Sequence, residues 1–150
     1  MPFEVKQKQE KRTSNVVAWI RYIEVELPKY TVRLLKKSGT KFFYSINNVE
    51  ASGSYRDNIT EISTLGNVMS LVTNFGLRVT WDGNQRVDIS LCSSYKNFVC
   101  GLCGNADGNA LNDFVDRDNK PVNVQGPDRN TRFFAWGRGW GTEDDAKDAE

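Results

Sequence analysis

Residues 16–27 read Val-Val-Ala-Trp-Ile-Arg-Tyr-Ile-Glu-Val-Glu-Leu, and Pro28 follows. In an extended chain Val17, Trp19, Arg21, Ile23, Val25 and Leu27 fall on one side, and Val16, Ala18, Ile20, Tyr22, Glu24 and Glu26 on the other. A period of two, with charge gathering late on one side, marks a half-buried strand. Pro28 ends it, because proline cannot donate to a ladder. Working outward, short runs rich in Val, Ile, Thr, Phe or Tyr recur at 30–35, 41–46, 69–73, 77–81 and 87–91, as strands do. Turn-forming residues sit between them: Lys37-Ser38-Gly39, Ile46-Asn47-Asn48, Asn74-Phe75-Gly76, and Asp82-Gly83-Asn84, which has the position of a hairpin loop. There is no long helical apolar stripe, internal repeat or low-complexity block. The pattern predicts an all-β domain, an antiparallel meander or β-sandwich.

The composition supplies the material for a core. The 150 residues are 39% hydrophobic and 11% aromatic, and a chain of this size buries roughly 70% of its unfolded surface. Net charge is +1, which argues against nucleic-acid binding driven by bulk charge. Residues 1–50 nevertheless carry ten bases and five acids, and residues 101–150 carry six bases and ten acids. No histidine is present, so chemistry that needs an imidazole base or ligand is excluded. The opening residues lack a signal-peptide apolar region, and no run approaches the ~20 apolar residues of a membrane span.

Beyond residue 103 the texture changes to Asn, Asp, Gly and Arg with scattered aromatics, which predicts irregular loops packed by Phe114, Phe133, Phe134, Trp136 and Trp140. Residues 99–114 carry the chemistry: Val-Cys-Gly-Leu-Cys-Gly-Asn-Ala-Asp-Gly-Asn-Ala-Leu-Asn-Asp-Phe. Asn105, Asp107 and Asn109 place oxygen donors at alternate positions, Gly108 permits a tight turn, and Asn112-Asp113 follows one turn later. Ca²⁺ takes six to eight such oxygens. The loop is not an EF-hand, since no glutamate stands at its twelfth position. With only two carboxylates among five donors, further oxygens would be required; a metal-free Asx-turn loop uses the same residue types.

Cys92, Cys100 and Cys103 are an odd set of three. A redox pair at Cys100-Gly101-Leu102-Cys103 would call for a helix N-terminus in a βαβ setting, which the sequence does not offer. A zinc half-site would need two more Cys or His ligands, and only Cys92 is left. Structural disulfides, within the segment or to cysteines elsewhere, are the third reading.

Val99–Phe114 resembles the signature of the von Willebrand factor type D domain, in which a Cys-Gly-Leu-Cys-Gly-Asn run leads into an acidic calcium loop ending in Asn-Asp. Gly76–Gly83 is similar to the strand ending in Trp-Asp-Gly, and Ser94-Tyr95-Lys96 to the approach to the cysteines. Phe134–Trp140 is a looser counterpart of the closing aromatic-Gly-x-x-Trp, and Phe3-Glu4-Val5 and Val17-Ala18-Trp19 fit early strands. The resemblance implies a type D-like domain over residues 1–141 lacking its opening strand, with an acidic tail at 142–150 expected to be disordered. It implies Ca²⁺ held by Asn105, Asp107, Asn109 (through its backbone carbonyl), Asn112 and Asp113. The family's opening Gly-Asp-Pro-His motif, with a further aspartate and a nearby cysteine, has no counterpart here.

By the same resemblance the chain is a piece or isoform of a secreted, extracellular, non-enzymatic protein. It would act as a calcium-stabilised, disulfide-linked module engaging protein partners or other domains, with no nucleic acid and no membrane span. Mucins, adhesion proteins, tectorins and BMP regulators use such modules. Two alternatives stand beside it: thiol–disulfide exchange through Cys100 and Cys103, and a fragment of a lipid-carrying yolk protein. Asn58-Ile59-Thr60 is the one glycosylation sequon, in a loop-like stretch. Lys6–Arg12 reads as a solvated strand edge before it reads as a matrix-binding patch, and Trp19, Trp81, Trp136 and Trp140 as packing residues before a ligand face.

Overall fold

The computed structural model describes residues 3–11, 18–37, 41–101, 103–109, 112–124, 128–129 and 132. The chain divides into two units, Met1–Cys92 and Ser93–Glu150. The described residues of the first form ten strands: β1 (Glu4–Lys11), β2 (Ala18–Glu26), β3 (Thr31–Lys37), β4 (Lys41–Ile46), β5 (Val49–Ala51), β6 (Tyr55–Arg56), β7 (Thr60–Leu65), β8 (Val68–Thr73), β9 (Leu77–Trp81) and β10 (Val87–Leu91). They form two antiparallel sheets of five, ordered β1-β2-β3-β4-β5 and β10-β9-β8-β7-β6. Within each sheet every strand pairs with its neighbours in sequence, as short antiparallel connections allow, and Ser52-Gly53-Ser54 carries the chain from one sheet to the other. The fold class is therefore an all-β sandwich of two meanders.

The two sheets share one core. Ile23, Val25, Val32 and Leu34 from the first are fully buried, as are Ile62, Leu71, Leu77 and Val79 from the second. Trp81 lies among them and meets Phe42 edge-on at 6.1 Å. Burial alternates along β8 and β9, as the period of two predicts.

One expectation is corrected within β2. Ile23, Val25 and Leu27 point inward as predicted, but the inward residue at the start of the strand is Ile20, 4% exposed, while Arg21 is exposed. The cause is a β-bulge. Lys8 pairs with Tyr22 and Gln9 with Ile20, so Arg21 is an extra residue with no partner on β1, and the inserted residue exchanges the two faces beyond it.

Strands β4, β9 and β10 have the predicted bounds. Strands β5, β6 and β7 have no counterpart among the runs read as strands; of the Lys6–Arg12 stretch, Lys6–Lys11 lies in edge strand β1, in agreement with the solvated-edge reading. Asn47 and Asn48 form the two-residue β4–β5 loop with φ of 48° and 68°, the left-handed pair that a type I′ turn needs.

In the second unit the described residues form turns, a 3₁₀ turn at Ser93–Tyr95, an isolated bridge between Val115 and Pro121, and helical positions at Arg129 and Arg132. Val124 is buried there and Phe114 is half-buried. The predicted packing by Phe133, Phe134, Trp136 and Trp140, the 142–150 tail and most of the Lys37-Ser38-Gly39 turn lie outside the described residues.

Candidate functional site

The predicted donor loop is built around Asp107. Its Oδ1 accepts the Asn109 amide at 2.7 Å, and its Oδ2 accepts the Asn112 side-chain amide at 2.7 Å and that of Asn105 at 3.3 Å. Asn105 Oδ1 in turn accepts the Asp107 amide at 3.2 Å, and Asp113 Oδ1 accepts the Asn105 amide at 3.3 Å. The backbone is folded to allow this: Ala106 and Gly108 have φ of 62° and 85°, a conformation that favours glycine. Gly104 has φ of 80°, and a side chain there would collide with the Asp113 carboxylate. The Asn112 amide, followed by the Asn109 backbone amide, holds the Asp107 carboxyl below its ordinary range, because both bonds favour the charged form.

All five sequence-predicted donors thus come together in one loop. The chemistry of the set fits a hard cation, with carboxylate, amide and carbonyl oxygens and no soft ligand. The amides of Asn105 and Asn112 now present NH₂ groups to Asp107, and a half-turn of either amide plane would present its oxygen instead. Among the described residues no group of three or more His, Cys, Asp or Glu side chains is gathered anywhere, so a cation here would lean on amide and backbone oxygens.

The three cysteines are exposed, and no disulfide joins them to one another. Cys92 follows β10 and packs beside Gly76, whose carbonyl accepts the Cys92 amide at 3.0 Å. Cys100 and Cys103 flank a turn closed by the Gly104 amide on the Gly101 carbonyl at 3.0 Å, with Gly101 at φ 131°. No helix begins at this pair among the described residues, so the dipole that activates a redox cysteine at a helix head is not supplied.

Residues 1–120 match the family model of the von Willebrand factor type D domain. The chain belongs to this family. It is 34% identical to human zonadhesin over 123 residues, which is 80% of this chain and 4% of that protein. It is 35% identical to mouse alpha-tectorin over 122 residues, 80% of this chain and 6% of the relative. Human IgGFc-binding protein is 34% identical over 121 residues, 76% of this chain and 2% of the relative. The type D domain described here therefore spans a few per cent of the length of these curated relatives.

The sequon of this type D domain is anchored by a cluster that sequence reading missed. Asp57 Oδ2 accepts the hydroxyls of Tyr30 at 2.6 Å and Tyr55 at 2.8 Å, while its Oδ1 accepts the Ile59 and Thr60 amides at 2.7 Å each. Tyr30, beyond β2, thereby ties the first sheet to the second. Partial burial raises the Asp57 carboxyl, but the bonds from Tyr30, the two amides and Tyr55 outweigh it and leave the pKa at about 2. Burial, then the Asp57 bond, pushes Tyr30 up to about 12. Asn58 is exposed on this turn, whereas Thr60 is 1% exposed with Oγ1 2.9 Å from the Tyr30 hydroxyl. The members come from segments up to 30 residues apart, so no local motif announced them.

Proposed function

We propose that this chain is a calcium-stabilised, disulfide-linked extracellular module of a larger secreted protein, non-enzymatic, and acting through contacts with other domains or protein partners. The observation that carries the reading is the convergence of Asn105, Asn109 and Asn112 on Asp107, with Asp113 bonded to the Asn105 amide, in a chain whose relatives include zonadhesin, alpha-tectorin and Mucin-5B. Bound Ca²⁺ would supply charge that offsets the two carboxylates and fixes the loop. Asn105, Asp107, Asn112 and Asp113 would hold it by side-chain oxygens and Asn109 by its carbonyl. Cys92, Cys100 and Cys103, all exposed, would form the module's disulfides within the segment or with cysteines outside this chain. Thiol exchange is the weaker reading, because among the described residues no helix begins at the Cys100–Cys103 pair, and nothing among them favours lipid carriage. With the Thr60 hydroxyl enclosed, a glycan on Asn58 would be attached before the sandwich closes.

Thermal unfolding of the purified oxidised chain in EGTA and in millimolar Ca²⁺ tests the proposal. Calcium at a hundred times its Kd should raise the melting temperature by roughly 5–10 °C, and Asp107→Ala and Asp113→Ala should each remove that shift. Identical melting in EGTA and calcium would sink the metal assignment.

A further inference from the structure

We infer that the end of the first sheet bearing Arg21, Lys37 and Lys41 is a binding surface for a sulfated polysaccharide. The strand register arranges the outward face in rows. Glu4 stands opposite Glu26, Lys6 opposite Glu24 and then Arg33, Lys8 opposite Tyr22 and then Leu35 and Phe43, and Lys37 opposite Lys41. The acidic rows are electrically closed. Lys6 Nζ lies 2.9 Å from Glu26, 3.8 Å from Glu4 and 4.0 Å from Glu24, and Arg33 Nε is 2.9 Å from Glu24.

The last row is not closed. Lys37 and Lys41 are exposed and directly paired across β3 and β4, an arrangement that costs stability because like charges face each other. Arg21, the bulge residue, is exposed one position beyond the Tyr22–Leu35 pair. Among the described residues none of these three cations is paired with a carboxylate. Aromatic rings lie between them: Lys37 Nζ sits 4.9 Å over the Phe43 ring, and Arg33 4.9 Å over Tyr22.

This chemistry selects the occupant. Three unneutralised cations on β2, β3 and β4 form a line crossing strands about 4.8 Å apart, which a linear polyanion can follow. Sulfate, like phosphate, takes charge-assisted bonds from Arg and Lys, and half-buried aromatic faces suit the apolar faces of sugar rings. A bilayer is the poorer fit, because Tyr22 and Phe43 are half-buried and capped by cations and do not project as an inserting wedge. The inference goes beyond the calcium reading and does not depend on it, since every residue lies on the sandwich.

The test titrates the full chain with heparin, in EGTA and again in calcium, at several salt concentrations. Lys37→Glu with Lys41→Glu should weaken binding about tenfold and flatten its salt dependence. Lys29→Glu with Lys120→Glu, the same charge change elsewhere, should stay within about twofold. Lys37→Gln with Lys41→Gln supplies a milder pair if the glutamates disturb folding. Hyaluronan, which carries carboxylates without sulfate, should bind more weakly than heparin. Absence of heparin binding, equal losses in the two charge-reversal pairs, or tighter binding to phosphatidylserine vesicles than to heparin would each overturn the inference.

Discussion

The two units of this chain are held together by different forces. Met1–Cys92 is organised by burial, with side chains from two sheets enclosed between them. In the described part of the second unit, Asp107 gathers one backbone and two side-chain amides, and Asp116 Oδ1 accepts the backbone amides of Asp118 and Lys120 at 2.9 Å. A buried core is non-directional and indifferent to ions, whereas a loop built on carboxylates is only as firm as the charge that balances them. On the proposed calcium reading, the difference assigns stability to the first unit and ligand dependence to the second. It is broken if a core substitution abolishes the calcium response of a chain that still folds, or if a loop substitution unfolds the sandwich.

The largest effect belongs to Trp81, which is 1% exposed against Phe42. Trp81→Ala should cost about 3–5 kcal/mol in urea unfolding. Trp81→Phe should cost clearly less, because the indole Nε1 is buried without a hydrogen-bond partner among the described residues and no bond is lost with it. Equal costs for the two would mean that ring packing is not what the core gains from this residue.

Next comes Asp57, the polar tie between the sheets. Asp57→Asn should cost about 2 kcal/mol at neutral pH, since charge-assisted bonds are lost. Its pKa is lowered, from the ordinary 3.8 to about 2, so its contribution is fully present above the unfolded value and is lost as pH falls through the folded one. Acid titration of stability should therefore show a decline between about pH 4 and pH 2 in the native chain that is flattened in Asp57→Asn. A parallel decline in both would assign the acid sensitivity to other carboxylates.

Much of the fold was legible in the sequence, and the failures share a cause. Strands β4, β9 and β10 announce themselves because apolar side chains alternate or cluster between turn residues. Edge strand β1, Glu-Val-Lys-Gln-Lys-Gln-Glu-Lys, and β7, Thr-Glu-Ile-Ser-Thr-Leu, carry too few apolar residues to show a period. Their pairing is decided by neighbours, which a single stretch cannot reveal. The bulge at Arg21 is invisible for the same reason, being a mismatch between two strands. At the site, the donor loop was legible because all its members lie within nine residues; the Asp57 cluster was not, because Tyr30 reaches it across 27 positions.

Gly104 offers a sharper form of the comparison. A methyl group there meets the Asp113 carboxylate at a left-handed backbone position, so Gly104→Ala should displace Asp113 and abolish the calcium-dependent rise in melting temperature. The melting of the EGTA form should move by less than about 3 °C, as the sandwich core is untouched. Loss of the cooperative transition itself would show that the two units do not separate energetically in this way.

The smallest effect concerns two adjacent asparagines in the β4–β5 loop, and it asks whether side chain or backbone fixes that turn. Both have left-handed φ, which asparagine tolerates and glycine adopts freely. Asn47 does more, because its Oδ1 accepts the Thr31 amide at 3.0 Å and so pins the start of β3. Asn47→Gly should cost about 1 kcal/mol for the lost bond. In Asn48→Gly the relief of backbone strain and the greater freedom of the unfolded chain oppose each other, leaving a change below about 0.5 kcal/mol. Chemical denaturation of the two variants side by side measures the gap, and equal effects would mean that the Thr31 bond contributes nothing to the first sheet.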